Sequence, residues 1–185
     1  ISYTLKHLSK WAKPHKVKTP ITQFPAKCYQ YFEPYGVTLI MAPWNYPFQL
    51  SLLPLVGAIA AGNTVILSPS SQSIETNKLL QELINSNFDK KQIYCTDGNK
   101  ELIAKILKQG LNHLFFTGSY KTAQYLHGLC SENLIPSTFE LGGKSPLIVD
   151  KDSNLEICAK RVCLGKFINC GQTCIAPDYL FVHKD

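Results

Sequence analysis

The sequence predicts a doubly wound α/β fold on a mostly parallel sheet. Three observations carry that expectation. Short apolar, β-branched runs recur along the chain. Amphipathic stretches of helical length separate them, and Gly, Pro, Asn and Ser punctuate the joins.

The elements follow in order. "GVTLIM" is a buried strand, and "APWNYP", with two prolines, is a loop. Residues 48–61 are apolar nearly throughout and stop at Gly62 and Asn63, as a helix does. "TVIL" is the next strand, so the three make a β-α-β unit with parallel pairing. Ser73 is placed to cap a helix running to about Asn87, with Leu79, Leu80, Leu83 and Ile84 on one face. "QIYC" is a short strand. Residues 101–109 form a helix with Leu102, Ile103, Ile106 and Leu107 inward, stopped by Gly110. "HLFF" is a strand, "TGS" opens a helix through about Ser131, and "STFEL" is a strand ending at Gly142 and Gly143. Beyond Lys144, a strand at 147–149, a helix at about 154–166 and a strand at 179–182 begin a further unit.

Composition narrows the function. The net charge of +6 invites a nucleic-acid reading. However, residues 1–20 hold five of the 19 basic residues and no acid, so the rest is nearly neutral. Arg161 is the only arginine, and no basic stripe recurs. A solvated basic lead-in is expected instead, with no nucleic-acid partner. Seven cysteines without paired CxxC spacing, and five scattered histidines, give no zinc pattern. Most of the cysteines are expected to be small core residues in a reducing cytoplasm. Residues 37–67 carry no charge, but Pro43, Asn45, Pro47, Gln49, Pro54 and Asn63 interrupt them, so strand, helix and strand are expected rather than a membrane span. Residue 1 is Ile and Met41 is the only methionine, so the chain is expected to be processed or part of something larger.

In doubly wound sheets, ligands bind beyond the carboxyl ends of strands. Polar clusters fall there: Asn45; Thr117, Gly118 and Ser119; and Glu140, Leu141, Gly142 and Gly143. Taken singly, each has a plain reading and a chemical one. Asn45 is a turn former or an amide donor to an oxyanion. "TGS" is a connection or a phosphate-receiving helix start, and no GxGxxG is present. Glu140 is a surface strand residue or, if buried, a base with a raised pKa. Cys174 is a core thiol or, near a polarising dipole, a thiolate nucleophile.

Their order decides. "PWNYP", "FTGS", "ELGGKSP" and "GQTC", at these separations, resemble the aldehyde dehydrogenase superfamily. "AIAAGNTVIL", "ELGGKSPLIVDKD" and "CGQTCIAPDYLFV" are most similar to its class 3, fatty-aldehyde-type branch. The resemblance runs from about Phe32 onward. It implies a Rossmann-like cofactor domain at 1–143 and the start of a catalytic domain at 144–185. It implies NAD(P)+-dependent oxidation of an aldehyde to a carboxylic acid, with medium- or long-chain aliphatic or aromatic aldehydes as substrates. Cys174 then matches the nucleophile, Asn45 and the Cys174 N–H the oxyanion donors, and Glu140 the base that deacylates the thioacyl-enzyme. Trp44, Ser68, Pro69, Ser70, Thr117, Gly118, Ser119, Leu141 and Gly142 match the cofactor contacts, and no metal is implied. Cys170 falls outside the nucleophile position; it is a neighbouring thiol able to cap Cys174 on oxidation. The complete protein is expected to be a cytoplasmic homodimer, with membrane association left open.

Two departures bear on function. Where the family has Lys-Pro-Ser-Glu after the second strand, this chain has Ser68, Pro69, Ser70 and Ser71, which leaves NAD versus NADP open. Tyr120 and Ala123 likewise replace smaller residues in the "FTGS" helix. Family members are also more than twice this length, so the segment alone is expected not to turn over. The alternatives are a non-catalytic or degenerate fragment and, less favoured because Glu140 is present, a CoA-acylating relative.

Overall fold

The computed structural model describes residues 1–184. In chain order, the first segment contains helix α1 (Ser2–Trp11), strand β1 (His15–Val17), a short 3-10 turn and strand β2 (Cys28–Gln30). Next come β3 (Val37–Met41), α2 (Gln49–Ala60), β4 (Thr64–Ser68), α3 (Ile74–Asn87) and β5 (Ile93–Cys95). Then follow α4 (Lys100–Gln109), β6 (His113–Thr117), α5 (Tyr120–Glu132) and β7 (Ser137–Glu140). The last elements are β8 (Ser145–Val149), α6 (Leu155–Phe167) and β9 (Pro177–Val182).

Five strands form one wholly parallel sheet in the order β5-β4-β3-β6-β7. The chain winds outward one way from β3 through β4 and β5, then returns to β6 and winds the other way to β7. The reversal lies between β3 and β6, and crevices open at such a switch point.

Strand alternation explains the two cores. Successive side chains point to opposite faces. Leu39 therefore packs with Leu114, Phe116, Ile103, Leu107, Leu126 and Cys130 on the α4 and α5 side. Its neighbour Ile40 packs with Leu55, Leu67, Leu80, Ile84 and Ile93 on the α2 and α3 side. Both β3 residues are essentially sealed from water, at 0% and 1% exposure. Full burial of each such side chain stabilises by about 1.5–3 kcal/mol.

Three local expectations change. Residue 73 is the N-cap position of α3, but its side chain makes no capping bond. Ser73 Oγ instead donates to the Trp44 carbonyl at 3.2 Å, fastening the start of α3 to the loop after β3. On α3, Asn77, Leu80 and Ile84 are buried whereas Leu79 and Leu83 are exposed. The helical stripe runs 77, 80, 84, so it keeps Leu80 and Ile84 of the expected face and leaves Leu79 and Leu83 out. On α4, Ile103 and Leu107 are buried but Leu102 is exposed, and the cap is Asn99, whose side chain accepts from the Glu101 and Leu102 amides. The basic lead-in is solvated as expected, since α1 has no buried residue, and it is also structured, with β1 and β2 paired as an antiparallel hairpin.

The cysteines depart further. Only Cys95 and Cys130 are buried; Cys163, Cys170 and Cys174 are exposed, and all seven are free. Burial pushes the Cys95 thiol up to about 12 and raises that of Cys130, so both stay protonated and act as apolar packing.

β8 and β9 form a separate parallel pair connected through α6. Among the described residues, no helix is long and apolar enough to cross a membrane.

Candidate active site

Two loops far apart in sequence are tied together by reciprocal side-chain bonds. One loop follows β3 and carries Asn45 and Tyr46. The other follows α6 and carries Asn169 through to Cys174. Asn45 Nδ2 donates to the Gln172 carbonyl at 2.7 Å, and Asn169 Nδ2 donates to the Asn45 carbonyl at 2.8 Å. The Tyr46 and Thr173 hydroxyls meet at 2.7 Å. The structure thus places Asn45 against the backbone two residues before Cys174.

The shape of the second loop comes from its backbone. Asn169 and Cys170 sit in the left-handed region, at φ 50° and 56°, and Gly171 follows at 78°. For a residue with a Cβ this costs roughly 1–2 kcal/mol. Asn tolerates it best of the non-glycine residues. The turn is held by Gln172, whose backbone and side-chain N–H groups both reach the Asn169 carbonyl at 3.0 Å. Cys170 therefore occupies the turn itself, and Cys174 follows on exposed chain just before β9.

The third loop closes on the same point. β7 ends at Glu140, and three residues later Gly143 lies directly on the Cys174 carbonyl: a Cβ added to Gly143 would fall 2.6 Å from that oxygen. Lys144 Nζ pairs with Asp178 Oδ2 at 3.0 Å, pinning the far side of this loop to β9. Glu140 is exposed. Its carbonyl accepts the Gly118 N–H at 3.0 Å, so the "TGS" and "ELGG" loops are joined as well. The structure gathers the loops of Asn45, Cys174 and Glu140 at the carboxyl end of the sheet.

Beside them, at the β3–β6 switch, opens a cleft of about 880 Å³. Met41 and Phe116, at the ends of β3 and β6, are part of its floor. Of the residues matched to cofactor contacts, Trp44, Ser68, Pro69, Ser70 and Ser119 line it; Thr117, Gly118, Leu141 and Gly142 do not. Ser119 caps α5, accepting the Thr122 amide. The opposite wall is the start of α4, with Gly98 and Lys100. The volume falls in the range of small-molecule sites. Crevices at strand carboxyl ends flanked by helix N-termini suit a dinucleotide phosphate. The residues of this cleft therefore fit the phosphate-bearing part of a dinucleotide.

Sequence reasoning missed Asn169, Asn77, Gly98, Lys100 and Lys121. Asn169 carried a usable signal, since Asn before a Cys-Gly pair suits a left-handed turn. The others needed the fold. Gly98 shows why: its φ is +79°, and an added Cβ would lie 2.6 Å from the Pro69 carbonyl. Gly98→Ala is expected to destabilise by about 1–3 kcal/mol, lowering the melting temperature by several degrees, at roughly 2–4 °C per kcal/mol. Scanning fluorimetry checks this; an unchanged melting temperature would show that the two loops separate freely.

The sequence profile of the aldehyde dehydrogenase family matches residues 2–185. The chain is 46% identical over 184 residues to 4,4'-diaponeurosporen-aldehyde dehydrogenase of Staphylococcus aureus, covering 100% of this chain and 40% of that protein. It is 42% identical over 180 residues to aldehyde dehydrogenase family 3 member A2 of Pongo abelii, covering 97% and 37%. Among solved structures, the substrate-bound state of Staphylococcus aureus AldH superposes with a TM-score of 0.94 at 45% identity, over 99% of this chain and 40% of that one. The chain thus spans about 40% of the length of the relatives it matches.

Proposed function

The chain belongs to the aldehyde dehydrogenase family, and from that premise we propose that it supplies the cofactor cleft and the nucleophile of an enzyme oxidising aldehydes to carboxylic acids with NAD(P)+. The observation that carries this reading is the double asparagine clamp, which sets Asn45 beside the loop of Cys174.

The proposed chemistry follows from the groups present. Cys174 Sγ attacks the aldehyde carbon, a C–S bond forms, and the carbonyl π electrons move to oxygen. That oxyanion needs donors. Asn45 carries two amide hydrogens; one is committed to Gln172, and the other is available alongside the Cys174 N–H. A nicotinamide dinucleotide bound in the cleft supplies the hydride acceptor. Once the aldehyde C–H bond has given up its hydrogen with the bonding pair and the C=O has re-formed, Cys174 is left holding a thioester. Glu140 takes a proton from the water that attacks it, and the C–S bond breaks to release the acid. Glu140 is exposed, so the burial expected of a base from the sequence is not met; its assignment rests on the family resemblance and on its access to water.

In this reading residues 1–143 are the cofactor-binding unit and residues 144–185 open the catalytic domain. The separation of the β8–β9 pair from the five-stranded sheet supports it. Medium- or long-chain aliphatic or aromatic aldehydes are the proposed substrates, supported by the aldehyde named for the Staphylococcus aureus relative. A relative from Mus musculus named as dimeric supports a homodimer for the complete protein. Seven free thiols suit a reducing cytoplasm.

Glu140→Gln in the complete enzyme tests the mechanism. A general base contributes about 10²–10⁴-fold, so steady-state turnover is expected to fall by at least about 10²-fold. The stopped-flow burst of reduced nicotinamide is expected to survive, with an acyl adduct on the peptide containing Cys174 by mass spectrometry. A lost burst with cofactor still bound would remove Glu140 from deacylation. An adduct on another residue would overturn the reading of the site.

A further inference from the structure

We propose that Lys100 and Lys121 form a 2′-phosphate-binding pair in the cleft, so that this chain takes NADP+ in preference to NAD+. The inference rests on the reading of the cleft as the dinucleotide site.

A ribose diol is ordinarily gripped by a carboxylate on its 2′-hydroxyl, whereas a 2′-phosphate needs a cation. Among the described residues, no carboxylate lines this cleft, and Lys100 and Lys121 are the only charged ones that do. Ser70 and Ser71 line the rim after β4, offering hydroxyls and backbone without repelling a phosphate.

The tertiary structure ties the turn that precedes Lys100 to the loop of those serines. Asn77 is 5% exposed and its side-chain amide bridges two loops, donating to the Ser70 carbonyl at 3.4 Å and the Asp97 carbonyl at 3.0 Å. Gly98 then packs on the backbone of Pro69 and Ser71. Lys100 leaves this fastened turn as the first residue of α4. Lys121 comes from the first turn of α5, which Ser119 caps. Both helix N-termini add positive partial charge to the lysines' own.

Nearby carboxylates do not cancel the pair. Asp97 and Glu101 flank Lys100 in sequence, but neither lines the cleft. Asp97 Oδ1 instead accepts the Asn99 N–H at 3.0 Å. Among the described residues, neither lysine belongs to an ion pair. Lysine is a point-charge phosphate binder and needs no fork geometry. The preference is thus built by replacing what would bind a diol with hydroxyls and lining the same cleft with two lysines.

The test is titration calorimetry on the complete protein with NADP+, NAD+ and 2′,5′-ADP. NADP+ is expected to bind at least about tenfold tighter than NAD+, with 2′,5′-ADP competing, since a charged hydrogen bond is worth about 1.5–3 kcal/mol. Lys100→Gln and Lys121→Gln are each expected to weaken NADP+ by about tenfold or more while leaving NAD+ within about twofold. Retained NAD+ affinity serves as the control for folding. Equal affinity for the two dinucleotides would overturn the preference and leave the cofactor reading standing. An NADP+ preference untouched by both substitutions would overturn the lysine assignment. Binding of neither dinucleotide would overturn this inference together with the reading of the cleft.

Discussion

Cys174→Ala is expected to abolish aldehyde oxidation by the complete enzyme, while Cys170→Ala retains most of it. Removing a nucleophile that acts as part of a unit costs on the order of 10⁶-fold in kcat. Both thiols are exposed, so exposure does not choose between them. The backbone does. Cys170 is built into a left-handed turn at φ 56°. The Cys174 segment instead lies where three loops converge, with its carbonyl against Gly143 and Gln172 bonded to Asn45. The check is steady-state turnover together with any ester hydrolysis by each variant. Surviving activity in Cys174→Ala, or its loss in Cys170→Ala, would reverse the assignment.

Asn45→Ala is expected to lower kcat by about 10²–10³-fold, the usual effect of deleting one oxyanion donor. The substitution also removes the bond to the Gln172 carbonyl, but not the Asn169 bond, which lands on the backbone of residue 45. The nucleophile loop therefore keeps one of its two clamps and also the Tyr46–Thr173 contact. A fall in kcat with KM and melting temperature little changed separates transition-state stabilisation from simple loosening. A loss below about tenfold would leave Asn45 as a turn residue that ties loops together.

The order of the elements was legible because each is written locally. A run such as "TVIL" has no low-energy exposed state, and a Gly-Asn stop follows residues 48–61 wherever they fold. Motif order likewise pointed to Asn45, Glu140 and Cys174 before any fold was known, and to the Ser68–Ser71 departure from the family pattern. Side-chain details at boundaries were less legible. Ser73 is a good cap residue by type, yet the Trp44 carbonyl outcompetes its own helix amides for the hydroxyl. The leucine pairs of α3 gave half of the buried face: Leu80 and Ile84 reach the core, whereas Leu79 and Leu83 do not, because burial follows the 77, 80, 84 stripe turned toward β5 and β4.

What the sequence by itself determined, then, is the alternation of strands and helices and the residue types at strand ends, since propensity, capping and turn chemistry act over a few residues. What only the tertiary structure decided is which strand ends meet. The order β5-β4-β3-β6-β7 sets β3 beside β6 and opens the cleft there. It allows Asn45 to bond Gln172 across 127 residues. It also brings Lys100 and Lys121, unremarkable surface lysines in the sequence, to one cleft. No local pattern encodes these meetings. They follow from the way the apolar faces of helices and sheet are buried together, a condition that the whole chain satisfies at once.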